Sequence, residues 1–138
     1  MTKHQTDKKQ IRELTRLEEQ VMQVLWELEK GLIHDLLERF PDPKPAYNTV
    51  STVVRILEQK GFIGHKAYGR THEYYPLISK NDYTKIHFGN FVTNYFGNSY
   101  RSLASFFTRE ENLSLTELEE IREMIQKEIN KQKMEPYE

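Results

Sequence analysis

The stretch from Ala46 to Gly61 separates apolar from polar positions as the two faces of an amphipathic helix would. At about 100° per residue, Val50, Val53, Val54 and Leu57 fall within roughly a quarter of the circumference. The other side carries short hydroxyls, an amide and an arginine: Asn48, Ser51, Thr52, Arg55 and Gln59. Ser, Thr and Asn lower helix propensity and suit a merely hydrated surface poorly. The pattern favours a helix that approaches a hydrogen-bonding partner such as a DNA major groove, with a partnerless polar face as the alternative.

Two shorter helices are predicted before this one. Thr15 and Glu18 have the spacing of a capping box, which opens a first helix that Gly31 is expected to end. Met22 and Trp26 lie four residues apart on this helix, where we expect ordinary core packing. A second helix is predicted over residues 33–39. Three prolines follow within residues 40–45 and prevent the helix from continuing.

Residues 62–76 have the pattern of a β-hairpin. Gly69-Arg70 is a Gly-X pair between β-forming residues, which predicts a two-residue type II′ turn. This register places Tyr68 opposite Thr71 and Lys66 opposite Glu73. Three helices followed by a basic-tipped hairpin is the order of a winged helix. The predicted fold is therefore mainly α: a winged helix-turn-helix with a β-hairpin wing, followed by a helical dimerisation region.

Apolar residues return at helical spacing after Ser79. One helix is expected from there to Gly97, a short one over residues 100–108, and a last one from the capping box of Ser114 and Glu117 to about Lys131. So many large apolar side chains are hard to bury in one small subunit, so we expect pairing with a second copy. The alternative is that these helices fold back onto the winged helix.

The predicted organisation has four parts. They are a flexible basic tail at 1–13, a winged-helix DNA-binding domain at 14–78, a helical dimerisation domain at 79–131 and a frayed tail at 132–138.

The charge distribution changes how the net charge is interpreted. A net charge of −1 over 138 residues argues at first against a nucleic-acid partner. The acidic excess, however, lies in residues 110–123, whereas residues 1–16 and 55–75 each carry a basic excess. A local basic excess around the helix at 46–61 is compatible with DNA binding, although it does not require it.

Several classes of protein are disfavoured. The chain has no cysteine, so disulfides and thiolate metal sites are excluded, and a reducing cytoplasm is expected. There is no apolar run of membrane-spanning length and no apolar signal-peptide core near the N-terminus, so no membrane insertion is expected.

No enzymatic motif is recognisable. The chain lacks a Gly-rich phosphate loop, a His-Glu-x-x-His motif and a Gly-x-Ser-x-Gly motif. His65 and His72 share one face of the predicted hairpin, but no third ligand is evident, so a surface pair is favoured over a metal site. We expect no catalytic residues, no metal and no cofactor.

Several strings in the chain match one known family. In the first helix these are residues 17–22 with Leu25-Trp26, and in the third Tyr-Asn-Thr-Val-Ser-Thr-Val-Val at 47–54 with Leu-Glu-Gln-Lys-Gly at 57–61. Gly69-Arg70 and Tyr74-Tyr75-Pro76 follow in the wing, then residues 102–107 and 113–121. On these strings, residues 14–130 resemble the penicillinase-repressor family of bacterial transcription regulators (BlaI/MecI/CopY).

The resemblance implies a cytoplasmic, homodimeric repressor on a pseudo-palindromic double-stranded DNA operator. The DNA-facing residues would be Tyr47, Asn48, Thr49, Ser51, Thr52 and Arg55 on the third helix, with Lys66 and Arg70 on the wing. Asn48 and Arg55 are the best candidates for base edges, and the wing cations for the phosphate backbone. Dimerisation would use Phe91, Tyr95, Leu103, Phe107, Leu118, Ile121 and Ile125.

The chain departs from the family pattern in three places. The copper-responsive branch carries a cysteine-rich metal hook, which a chain without cysteine cannot form. The β-lactam-responsive branch is cleaved at an Asn-Phe bond, and Phe106-Phe107 stands at the corresponding position as a candidate regulatory cleavage site. Either a partner sensor protease in the membrane has a different preference, or release follows another route. Ala46 replaces a capping Ser or Thr, which weakens the helix start by up to about 1 kcal/mol.

An alternative function remains open at this stage. A winged helix that binds another protein, and has lost DNA contact, would also agree with the near-neutral net charge.

Overall fold

The computed structural model describes residues 14–135. Within that range the chain forms helices and one antiparallel two-stranded hairpin. The elements are α1 (Arg16–Leu28), α2 (Ile33–Arg39), α3 (Tyr47–Gln59), β1 (Ile63–Tyr68), β2 (Thr71–Pro76), α4 (Lys80–Phe96), α5 (Tyr100–Glu110) and α6 (Leu115–Met134). This order confirms the predicted winged helix. The predicted basic tail at 1–13 and the last three residues of the predicted frayed tail lie outside the described residues.

The capping box at the start of α1 is confirmed. The Thr15 hydroxyl accepts a hydrogen bond from the Glu18 backbone N–H at 3.1 Å, and the Glu18 carboxylate accepts one from the Thr15 N–H at 2.9 Å. These two bonds satisfy backbone donors that the first helical turn leaves without partners.

The prediction that Gly31 ends α1 is wrong. The helix already ends at Leu28, and Glu29 takes the left-handed conformation with φ of 74°. Gly31 instead exchanges two backbone hydrogen bonds with Tyr74, at 2.9 and 2.8 Å, which adds a third short backbone segment beside the wing. A Cβ at Gly31 would lie 3.2 Å from the Asp35 Cβ, which is tighter than an ordinary van der Waals contact, so any other residue would have to displace Asp35 slightly.

The hairpin has the predicted register. Tyr68 pairs with Thr71 and Lys66 with Glu73, and the strands are joined at Gly69 and Arg70. Gly69 has φ of 66°, whereas Arg70 is absent from the described residues with positive φ. A positive φ at only the first central position is the property of a type II′ turn, as predicted.

The core of the first compact unit lies between α1, α2, α3, the hairpin and the start of α4. Its most deeply buried residues are Val21, Met22, Leu25, Leu36, Val50, Val54, Leu57, Phe62 and Ile63. Trp26 packs at the edge of this cluster, where its indole N–H donates to the Ile78 carbonyl at 2.8 Å and its ring lies 5.5 Å from that of Tyr83. The predicted packing roles of Met22 and Trp26 are confirmed.

The chain divides into two compact units between Asn90 and Phe91, inside α4. Tyr83 belongs to the core of the first unit, and Ile86 packs against that core. The structure thus divides the chain later than residue 78, where the sequence pattern placed the end of the winged-helix domain. Where the functional dimerisation region begins stays a prediction.

The second unit contains the remainder of α4, with α5 and α6. The Ser99 hydroxyl caps α5 by accepting from the Ser102 N–H at 3.0 Å, and Ser114 and Glu117 form the predicted capping box of α6. α6 ends at Met134, beyond the predicted end near Lys131. A side-chain hydrogen bond of 3.0 Å from Gln132 to Glu128 and two lysines in the last turn support this extension. Among the described residues, no helix is long and apolar enough to cross a membrane.

Candidate nucleic-acid interface

The polar face of α3 is open to solvent, as its sequence pattern predicts. Tyr47, Asn48, Thr49, Thr52 and Arg55 are exposed and Ser51 is half-buried. The apolar residues Val50, Val54 and Leu57 of the same helix are fully buried. The hydroxyl and amide side chains, which lower helix propensity, therefore lie at exposed positions, where a ligand can reach them.

Arg55 is held along the helix by two hydroxyl groups. One of its terminal nitrogens donates to Ser51 Oγ at 3.1 Å, and the other lies 3.5 Å from Thr52 Oγ1. A guanidinium group carries several N–H donors in a planar fork, so these bonds orient the fork and leave other donors facing solvent. The sequence pattern placed these three residues on one face, but it did not predict that Arg55 donates to the two hydroxyl groups.

The wing presents its cations at and near its tip. Arg70 occupies the exposed turn, and the Lys66 ammonium lies 5.3 Å from the centre of the Tyr68 ring. This is the distance range of a cation–π contact. The structure therefore places both predicted wing cations on an exposed hairpin that directly follows α3.

A polar contact joins the wing to α3. Nδ1 of His65 on β1 is hydrogen-bonded to the Glu58 carboxylate on α3. The His72 ring of β2 stacks on the His65 ring at a centroid distance of 4.1 Å and an interplanar angle of 9°. The Tyr74 ring lies about 6 Å from both imidazoles. Burial, followed by the negative charge of Glu58, raises the pKa of Tyr74.

The predicted surface pair of His65 and His72 is thus a ring stack that contacts α3 through Glu58. Within residues 14–135, no group of three or more His, Asp or Glu side chains has the arrangement of a metal site.

The carboxyl end of α3 is anchored by an ion pair in which the carboxylate is buried and the Lys60 side chain is 34% exposed. Lys60 Nζ lies 3.1 and 3.0 Å from the two carboxylate oxygens of Glu18, whose side chain is only 6% exposed. The same carboxylate caps α1, so one side chain stabilises the start of α1 and positions the end of α3. Sequence reasoning missed this pair because residues 42 positions apart leave no local pattern.

The predicted dimerisation residues all lie in the second compact unit, and none is buried. Phe91, Tyr95 and Ile125 are exposed, whereas Leu103, Phe107, Leu118 and Ile121 are half-buried. The candidate cleavage pair, Phe106 and Phe107, lies inside α5, which is the helix before the last one.

The described structure agrees with the family comparison. Residues 14–127 match the model of the family described as penicillinase repressor. The chain belongs to the penicillinase repressor family. This membership places it among the DNA-binding regulators that repress bacterial transcription. The match includes α1, α3 and the wing, and therefore every predicted DNA-facing residue.

Two relatives of this chain have names that describe regulation or repression. The chain is 28% identical over 116 residues to the methicillin resistance regulatory protein MecI of Staphylococcus aureus, which covers 83% of the chain and 94% of MecI. It is 23% identical over 126 residues to the penicillinase repressor of Bacillus licheniformis, covering 91% of the chain and 98% of that protein. These proteins are named for regulation and repression rather than for catalysis.

Among solved structures, the chain is similar to the organohalide sensing transcriptional regulator RdhR-CbdbA1625 in its 2,4-dichlorophenol bound form. The TM-score is 0.45 and the identity 14%, covering 91% of the chain and 70% of that protein.

Proposed function

We propose that this chain acts as a homodimeric repressor that binds a pseudo-palindromic operator. Each copy would place α3 in a major groove, with the two grooves one helical turn or a multiple of it apart. The observation that carries the proposal is the exposed face of hydroxyl, amide and guanidinium groups on α3, with the cationic wing next in sequence. Because bacterial DNA lies in the cytoplasm, we place the protein there.

The exposed residues divide into two roles. Asn48 and Arg55 contact base edges, since an amide pairs with adenine and a guanidinium with guanine. The bonds that Arg55 donates to Ser51 and Thr52 support this role because they orient the guanidinium fork before DNA is bound. Tyr47, Thr49, Ser51 and Thr52 contact phosphates or a thymine methyl, and Lys66 and Arg70 contact the backbone.

The second unit supplies the surface that contacts the second copy. Its helices expose large apolar side chains, among them Tyr95 at 73% and Ile125 at 54%. Exposed apolar area of this kind is typical of interfaces between subunits. The supporting observation is that none of the seven proposed dimerisation residues is buried within one copy.

Release from the operator would follow a signal such as cleavage by a partner sensor protease at Phe106-Phe107. This bond lies within α5, and the Phe106 ring packs 5.6 Å from that of Phe96. Proteases act on locally opened chain, so cleavage would require α5 to unwind first. The inducing signal is therefore proposed to act on α5 rather than on the DNA-binding face.

Two binding measurements test the operator proposal. The intact protein is titrated with the DNA that precedes its own gene and with a shuffled duplex of equal composition, at about 0.1 M and about 0.3 M salt. We expect preference for the first duplex and weaker binding to both at the higher salt. Equal indifference to both duplexes would contradict the proposal and favour a winged helix that binds another protein.

Variants then separate the two roles. Asn48→Ala and Arg55→Ala are each expected to cost about 1–3 kcal/mol of operator binding and to relax the sequence preference. Lys66→Ala is the matched comparison, because a lost phosphate contact weakens binding to both duplexes alike. If Lys66→Ala instead removed the preference, the assignment of the wing to the backbone would be wrong.

A further inference from the structure

A cavity of about 780 Å³ lies between the end of α1, the end of β2 and the start of α4. Its volume falls in the range of about 300–1,000 Å³ that is typical of small-molecule sites. Val24, Trp26, Tyr75 and Pro76 give it an apolar and aromatic lining. None of the residues proposed to contact DNA lines it, so the proposed function does not account for it.

Two sets of hydrogen bonds hold the walls of this cavity together. The indole N–H of Trp26 donates to the Ile78 carbonyl at 2.8 Å, which joins α1 to the segment before α4. Gly31, just beyond α1, exchanges backbone hydrogen bonds of 2.9 and 2.8 Å with Tyr74 of β2. Because these bonds already join the walls, a ligand does not have to order them when it binds.

The lining carries one unpaired charge of each sign. Glu27 also lines the cavity, but its carboxylate pairs with Arg39 at 3.0 Å. Glu29 and Lys80 line it as well, and within residues 14–135 neither forms a salt bridge or a side-chain hydrogen bond. A carboxylate at the end of α1 and an ammonium at the start of α4, beside aromatic walls, complement a ligand with an ammonium, a carboxylate and an aromatic body.

The backbone of Glu29 provides a second, independent observation. This residue has φ of 74° and ψ of −33°, a region that residues with a Cβ avoid and that glycine adopts more easily. Backbone strain of this kind is concentrated at binding and catalytic sites. A glutamate at this position therefore lowers stability while it places a carboxylate at the cavity.

We propose that this cavity binds a small zwitterion, namely a free amino acid with an aromatic side chain. Lys80 binds the carboxylate of the ligand and Glu29 binds its ammonium group. Trp26 and Tyr75 contact the aromatic side chain. The inference does not depend on operator binding.

The first experiment uses Trp26, the single tryptophan of the chain, as the reporter. The intact protein is titrated with L-phenylalanine, and binding is followed by tryptophan emission and, independently, by calorimetry. We expect saturable binding. Two analogues should bind at least about tenfold more weakly: 2-phenylethylamine, which lacks the carboxylate, and 3-phenylpropionate, which lacks the ammonium group. No saturation below about 10 mM in either measurement, or equal binding of the three compounds, would overturn the proposal.

Charge-removing variants assign the two ends of the ligand. Lys80→Met keeps the aliphatic stem and should remove the preference for L-phenylalanine over 2-phenylethylamine. Glu29→Gln should instead remove the preference over 3-phenylpropionate. Lys85→Met is the matched control, because Lys85 is exposed further along α4, does not line the cavity and should leave binding unchanged. Unchanged preferences in Lys80→Met and Glu29→Gln, or the same loss in Lys85→Met, would overturn the assignment.

Glu29→Gly distinguishes loss of the site from loss of the fold. Glycine relieves the backbone at this position but removes the carboxylate. We therefore expect a higher melting temperature than wild type together with binding of L-phenylalanine that is at least about tenfold weaker. Wild-type binding by this more stable variant would show that the Glu29 carboxylate does not hold the ligand, contrary to the proposal.

Discussion

Glu18 shows how one side chain links two elements. Its carboxylate caps α1 and binds Lys60 at the end of α3, and only 6% of its side chain is exposed. Glu18→Gln keeps the shape and one acceptor but leaves the Lys60 ammonium without its carboxylate. We expect a loss of about 1.5–3 kcal/mol in the free energy of unfolding, measured by urea denaturation of the intact chain.

Glu27→Gln is the matched control. Glu27 also forms an ion pair, with Arg39 at 3.0 Å, but the two side chains are 64% and 46% exposed. Surface pairs of this kind contribute between about 0 and 1 kcal/mol. If both variants lost equal stability, the burial of the Glu18 carboxylate would not account for the strength of its ion pair.

Tyr83 gives the stability a dependence on alkaline pH. Burial, and then the negative charges of Glu19 and Glu18, raise its pKa to about 12 from 10.0. Between these values the unfolded chain loses the phenol proton more readily than the folded one. The stabilisation is therefore complete below pH 10 and is lost as pH rises towards 12, by up to about 3 kcal/mol.

The variant Tyr83→Phe isolates this contribution from other groups that titrate in alkali. Urea denaturation at several pH values above about 9 should show a shallower decline for Tyr83→Phe than for wild type. Tyr68→Phe is the control, because Tyr68 is 53% exposed on β1 and lies outside the proposed dimer interface, and its curve should parallel that of wild type. Parallel curves for all three proteins would contradict the prediction.

Gly69 in the wing turn and Gly89 in α4 differ in the backbone conformation that they adopt. Gly69 has φ of 66° and Gly89 lies inside α4, and a Cβ at either position would meet no atom within 4 Å. Only backbone preference therefore separates the two sites. Gly69→Ala should destabilise the protein by about 1–2 kcal/mol, whereas Gly89→Ala should stabilise it by about 1 kcal/mol. Thermal unfolding should show a lower melting temperature for Gly69→Ala and a higher one for Gly89→Ala. A shift in the same direction for both variants would contradict the argument.

Elements with local signals could be predicted from the sequence. Both capping boxes and the hairpin register follow from residues three or four positions apart, and the structure confirms them. The end of α1 could not be predicted in the same way. Gly31 looked like a helix terminator, but its role is set by Tyr74, which lies 43 residues further along and forms a β-bridge with it.

At the scale of the whole molecule, sequence reasoning missed the contacts between residues that are far apart in the chain. The Trp26 bond to Ile78 spans 52 residues and the Lys60 bond to Glu18 spans 42. Neither pairing leaves a periodic or spaced pattern in the sequence. The predicted DNA-facing residues of α3, by contrast, share one face of one helix, so a period of 3.6 residues is sufficient to group them.

We expect two copies of the chain to associate through α6. Leu118, Ile121, Ile125 and Ile129 follow one stripe of α6, and all are at least partly exposed. Because a stripe of this length favours association, sedimentation at micromolar concentration should give twice the 16.5 kDa mass of one chain.

Ile125→Lys should shift this equilibrium towards the single chain, since burying an unpaired ammonium in an apolar interface is costly. Ile125 is 54% exposed in one copy, so the substitution removes little packing within the chain itself, and circular dichroism should show unchanged helix content. Met134→Lys is the control, because Met134 is 81% exposed at the last residue of α6 and should leave the mass unchanged. A wild-type chain that sediments as a monomer would remove the basis for two α3 helices on one operator, whatever its affinity for DNA.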